Sequence, residues 1–174
     1  MPVTERKVRH LASCVAAFAL ASAVPVATAA QVSAAEPDFQ LTLPAGVACA
    51  DFDVLVEGTG DNRIMREFTD QNGNVVRILA AGKGFDLTFT NLSSGETVEL
   101  PSNGSVARTT INDDGTTTVE STGHNVLILF PTDIPAGPST TLYVGRLVYT
   151  VDANGVFTVQ STSGPTTDIC ALLA

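Results

Sequence analysis

His124, Asp133 and Ser139 are the three residues whose types could assemble hydrolytic machinery. Acyl transfer needs a serine hydroxyl, a histidine to take its proton and a carboxylate to orient the imidazole. His124 is the only histidine after His10, so any such centre must use it. Two features weigh against it. No Gly-x-Ser-x-Gly elbow exists to present a strained serine. Gly123-His124-Asn125 also reads as a turn, where a polar residue needs no chemical role.

Metal chemistry has less support. A catalytic zinc wants three protein ligands, and one histidine does not supply them. Calcium wants clustered oxygens. Asn112-Asp113-Asp114-Gly115 and Gly58-Thr59-Gly60-Asp61-Asn62 offer a few, but neither follows the twelve-residue loop ending in glutamate. Both are the residues a hairpin turn requires. With 17 acids beyond residue 29, the carboxylate pair of a glycosidase arises by chance and carries no information. Gly82-Lys83-Gly84 lacks the spacing of a phosphate loop. No metal and no cofactor is expected.

Binding rests on two tyrosines. In Tyr143-Val-Gly-Arg-Leu-Val-Tyr149, alternation puts both rings on one face with Gly145 and Leu147. They read as core residues with hydroxyls at the rim, or as a shelf for a stacked ligand. Arg146 falls on the other face and calls for a carboxylate, Asp133 or Glu120. Asn91-Leu-Ser93 and Asn103-Gly-Ser105 match the glycosylation sequon but sit in predicted turns, and the alanine-rich leader looks bacterial.

The elements that must position these residues are short and β-like. The most apolar stretch, residues 125–152, holds two strand-like runs flanking a ten-residue loop with three prolines and a glycine. Asp133 and Ser139 lie in that loop. Upstream, Phe39-Gln-Leu-Thr-Leu43 alternates, and Phe85, Leu87 and Phe89 share a face opposite Asp86, Thr88 and Thr90. Asp70-Gln-Asn-Gly73, Asn112-Asp-Asp-Gly115 and Asp152-Ala-Asn-Gly155 punctuate the strands as hairpin turns. The threonine-rich pair 105–111 and 116–121 reads as a hairpin that could pair edge to edge with another molecule. No helical apolar period appears beyond residue 29. About ten short strands predict an all-β, antiparallel β-sandwich of immunoglobulin-like or jelly-roll topology.

The N-terminus reads as a targeting segment. Arg6, Lys7 and Arg9 precede an uncharged run over residues 11–24, Pro25 breaks it, and Ala27-Thr28-Ala29 fits signal peptidase. A second cut could follow Ala34. The run is too short for an ordinary membrane span. Leu11-Ala-Ser-Cys14 mimics a lipoprotein box but precedes the apolar run, so Cys14 leaves with the signal. The expected layout is a signal peptide over 1–29, a leader over 30–37 and one β-sandwich domain over 38–174, secreted and without a stable membrane span.

Removing residues 1–29 leaves 18 − 1 = 17 acidic and 9 − 3 = 6 basic residues, a net charge of −11. That balance argues against nucleic acid and anionic membranes and suits solubility or cationic partners. Two cysteines remain, Cys49 and Cys170, and an exported chain is expected to join them. The bridge would bring both ends of the domain together across 170 − 49 = 121 residues.

Leu129-Phe-Pro-Thr-Asp-Ile-Pro-Ala-Gly-Pro138, Gly145-Arg146 and Thr167-Asp-Ile-Cys170 resemble a group of small exported actinobacterial proteins of no assigned activity. The resemblance implies secretion and carries no catalytic residues. The expected function is therefore a non-enzymatic binding or envelope-associated module with a protein or glycan partner. The competing readings are a hydrolase centred on His124 and Asp133, and an assembly subunit that uses an edge strand.

Overall fold

The computed structural model describes residues 36–174. The signal segment, both cleavage sites, Cys14 and most of the leader lie outside the described residues. What is described is all-β apart from one short helix. One antiparallel sheet has the order β1 (Phe39–Leu43), β2 (Val54–Thr59), β5 (Asp86–Asn91), β6 (Thr97–Leu100). The other runs β10 (Phe157–Ser163), β9 (Ser139–Val151), β8 (Thr117–Leu129), β7 (Ser105–Ile111), β4 (Val75–Gly82), β3 (Ile64–Thr69), and β11 (Thr166–Asp168) joins β9. Helix α1 (Ile169–Leu173) ends the chain.

Hairpins alternate between the sheets, and turn chemistry sets them. Asp70, Asn112 and Asp152 each open a tight turn in which the glycine three residues on donates back to their carbonyl, at 3.2, 3.0 and 3.0 Å. Each of those glycines has a left-handed φ, between +81° and +87° at Gly73 and Gly115 and +79° at Gly155. This is the three-residue hairpin with a glycine bulge. The Asp70, Asp114 and Asp152 carboxylates accept N–H bonds from within their own turns. They are occupied as turn formers, and among the described residues no acid or histidine cluster could hold a metal.

The long β8–β9 hairpin organises the rest. The sequence suggested a turn at Gly123-His124-Asn125, with a separate core strand after it. Instead β8 runs unbroken for 13 residues, with His124 inside it opposite Val144. The two signals were both real, because the strand is creased there. Gly123 pairs directly with Gly145, at φ +96° and +133°, and Gly82 lies in the same row across Ser105 at φ +135°. Only glycine takes such angles readily. A Cβ on Gly123 would meet the Gly104 carbonyl at 2.5 Å, and one on Gly145 would strike the Ser163 carbonyl.

A straight strand of this length would span roughly 43 Å. The crease folds the hairpin tip back over its own base. Leu127 and Leu129 from the tip share a core with Leu147 of the base, and Tyr143, Tyr149, Phe157 and Val159 pack around them. The proline loop after β8 completes the return. Ile134 N–H donates to the Phe157 carbonyl at 2.8 Å, and Val159 N–H donates to the Ile134 carbonyl at 2.7 Å. The tip's other face, with Val126, Ile128 and Leu142, packs against Val54, Val56 and Phe89 of the four-stranded sheet.

The termini of the domain meet as expected. Cys49 and Cys170 are bonded, with Cα atoms 5.6 Å apart across a separation of 121 residues. The end of the chain forms β11 and then α1. Asp168 caps the helix by accepting the Ala171 N–H at 3.1 Å. Ile169 and Leu173 bury in the first core, and the buried Asn91 amide donates to the Leu173 carbonyl at 2.9 Å. Five residues are too few to display a helical period, so tertiary contacts create this element.

The threonine-rich hairpin is not an edge. β7 and β8 lie inside their sheet, between β4 and β9, so the expected edge-to-edge surface is already paired. The β8–β7 pairing extends the ladder inward because β4 continues it with six further register pairs. The free edges of this sheet are β3 and β10.

Candidate binding cleft

The crease also opens a cleft. Beyond Gly123, β8 has lost its β7 partner, since β7 begins at Ser105 opposite that glycine. His124 N–H still reaches back to the Gly104 carbonyl at 3.3 Å, but residues 125–127 have no partner strand on that side, and the cleft, of about 450 Å³, runs along them. Leu147 and Tyr149 line it from the hairpin base, and Leu87 and Leu100 from the four-stranded sheet. That volume falls in the range of small-molecule sites.

Polar groups converge on an apolar floor. Asn125 lines the cleft, and its Nδ2 is shut away from solvent with no hydrogen-bond partner among the described residues. Leaving a buried amide donor unpaired costs about 1–3 kcal/mol. His124 and Ser121 line the same space. Arg63 lies on its wall, held by Asp61 at 2.6 Å and placed 5.7 Å from the centre of the Phe85 ring. Its hydrogen bond draws the Asp61 carboxyl below the ordinary range and pushes the guanidinium up. Phe85 in turn meets Phe39 edge to face, with centroids 4.9 Å apart.

The proposed triad is not assembled. Ser139 pairs with Leu129, five residues along β8 from His124, which is roughly 17 Å of strand. Asp133 belongs to neither residue. It is 3 % exposed, and its two oxygens accept the Phe130 and Phe157 N–H groups at 2.6 and 2.8 Å. This carboxylate pins the proline loop to β10 and does not line the cleft. An extended hairpin separates residues that sequence proximity had placed together.

The tyrosines take separate positions along one face. Tyr149 stacks on Phe157, with centroids 5.4 Å apart and planes at 25°, and lines the cleft with its burial raising its pKa. Tyr143 sits opposite Asn125 and packs on the same core. Arg146 finds Glu120, not Asp133, at 2.8 Å on the outer face. Of the two sequons, Asn91 is spent on the Leu173 carbonyl, while Asn103 is exposed at the cleft.

Asn125, Arg63 and Phe85 were not recognisable as site residues from the sequence. Asn125 looked like the end of a turn, and only the loss of the β7 partner at Gly123 exposes its strand edge. Arg63 and Phe85 meet across separate elements. No family model, no curated protein and no solved structure matches this chain.

Proposed function

We propose that the protein is a secreted, non-enzymatic binding module. Its cleft takes a small ligand with an apolar body and a hydrogen-bond acceptor. The observation that carries this reading is the unpaired Asn125 amide, buried in the wall of a mixed polar and apolar cleft beside a free strand edge. Turned into the cleft, the Asn125 amide would recover its lost hydrogen bond by donating to a ligand carbonyl, and Leu147, Tyr149 and Leu87 would cover the ligand's apolar part. The separation of His124, Asp133 and Ser139 supports binding over hydrolysis. Secretion is supported by the N-terminal basic, apolar and small-residue order, by the disulfide, and by the resemblance to small exported proteins. No described helix is long and apolar enough to cross a membrane.

A thermal-shift panel of small ring compounds, with and without a carbonyl acceptor, tests the reading. Ligands that bind only the folded state raise the melting temperature by mass action. Acceptor-bearing members should raise it, and Ala107→Leu, which fills the cleft wall, should abolish the rise. Shifts that survive Ala107→Leu, or a hydrolysis lost in His124→Ala with stability intact, would overturn it.

A further inference from the structure

The outer face of the seven-stranded sheet carries a second surface, independent of the cleft. Residues 36–174 contain six basic side chains, and strand register puts four of them, Arg66, Arg77, Arg108 and Arg146, on this face. Arg66, Leu79, Arg108, Glu120 and Val148 stand opposite one another in a single row across β3, β4, β7, β8 and β9. The next row reads Phe68, Arg77, Thr110, Thr118, Thr150, Thr158. Arg146 stands in the row on the other side, with Val106 and Thr122.

Seventeen acids are present in the same residues, yet only Glu120 occupies these rows. It is engaged by Arg146 at 2.8 Å. Arg66, Arg77 and Arg108 are exposed and make no ion pair within the described residues. Strand spacing and rise put Arg66 and Arg108 about 10 Å apart and Arg77 about 8 Å from each. An acidic protein thus presents one cationic lattice, bordered by a row of four threonines and the partly exposed Phe68 ring.

We infer that this face binds a linear acidic polysaccharide carrying carboxylates. Guanidinium forks match carboxylates in geometry as well as charge. The threonine hydroxyls supply donors and acceptors of the kind that pair with sugar hydroxyls, and Phe68 offers a ring for a sugar's apolar face. An extended chain lying along the lattice engages several arginines at once. The acids elsewhere on the molecule repel the same polymer and confine it to this face.

Titration of the full-length mature protein with polygalacturonate, followed by calorimetry at several salt concentrations, tests the assignment. The wild type should bind, with affinity falling as salt rises. Each of Arg66→Gln, Arg77→Gln and Arg108→Gln should weaken binding and lower the log–log salt slope by about one. The triple variant should lose binding while keeping the wild-type melting curve, because these side chains are exposed. Glu120→Gln should tighten binding by removing the one acid and freeing Arg146. No binding by the wild type, or equal binding by the triple variant, would overturn the inference. Tighter binding of polyglutamate than of polygalacturonate would assign the face to an acidic protein instead.

Discussion

Asp133 shows how one buried carboxylate can serve structure alone. Both of its oxygens are used, and both partners are backbone N–H groups. Hydrogen bonds to a charged acceptor contribute about 1.5–3 kcal/mol each. Asp133→Ala should therefore cost about 3 kcal/mol in urea unfolding, without any change at the cleft. A loss under about 0.5 kcal/mol would show that the loop is held by other means. The turn aspartates act at the same scale. The Asn74 amide lowers the pKa of Asp70, the Thr116 hydroxyl that of Asp114, and the Val156 N–H that of Asp152. A carboxyl lowered in the folded state adds stability above its unfolded pKa, near 4, and loses it as pH falls through the folded value. The urea midpoint should hold down to about pH 5 and drop below about pH 4. Substituting all three with Asn should make that drop shallower.

At the scale of elements, the glycine row decides the architecture. Gly115 and Gly123 both have left-handed φ, but a Cβ on Gly115 meets nothing within 4 Å whereas one on Gly123 meets a backbone carbonyl. Gly115→Ala should cost about 1–2 kcal/mol, the conformational term alone. Gly123→Ala and Gly145→Ala should cost more than about 3 kcal/mol, or prevent folding, since backbone must also move. Equal penalties at the three sites, read from denaturation midpoints, would show that the crease is not under steric control. Here lies the boundary of what sequence conveys. The Asx-Gly turns were legible, because each is encoded within four residues. The β1 and β5 alternation was legible for the same reason. Gly123 was misread because a glycine beside polar residues looks the same in a turn and in a crease. Only its pairing with Gly145 tells them apart, and register is a long-range property. Helix α1 was missed because Asn91, the disulfide and the core define it, not its own five residues.

For the whole molecule, the disulfide and the distribution of charge matter most. The bridge closes 121 residues, for which the loop-entropy model gives about 4–5 kcal/mol as an upper value. Cys49→Ser with Cys170→Ser should lower stability by up to that amount, with fraying of α1 first in hydrogen exchange. Net charge gave the sign of the molecule and concealed its layout. Alternating faces and strand order gather on one face arginines that lie far apart in the chain, a layout that net charge does not reveal. The cleft has the same origin. It exists because β8 outruns β7 and folds at Gly123, and its polar centre is Asn125. The most direct measurement of that claim is the side-chain amide resonance of Asn125 in a titration with an acceptor-bearing ring compound. This resonance should shift, together with the His124 and Leu147 signals, and saturate with the thermal shift. An Asn125 amide that stays fixed while the ligand saturates the protein would contradict that claim.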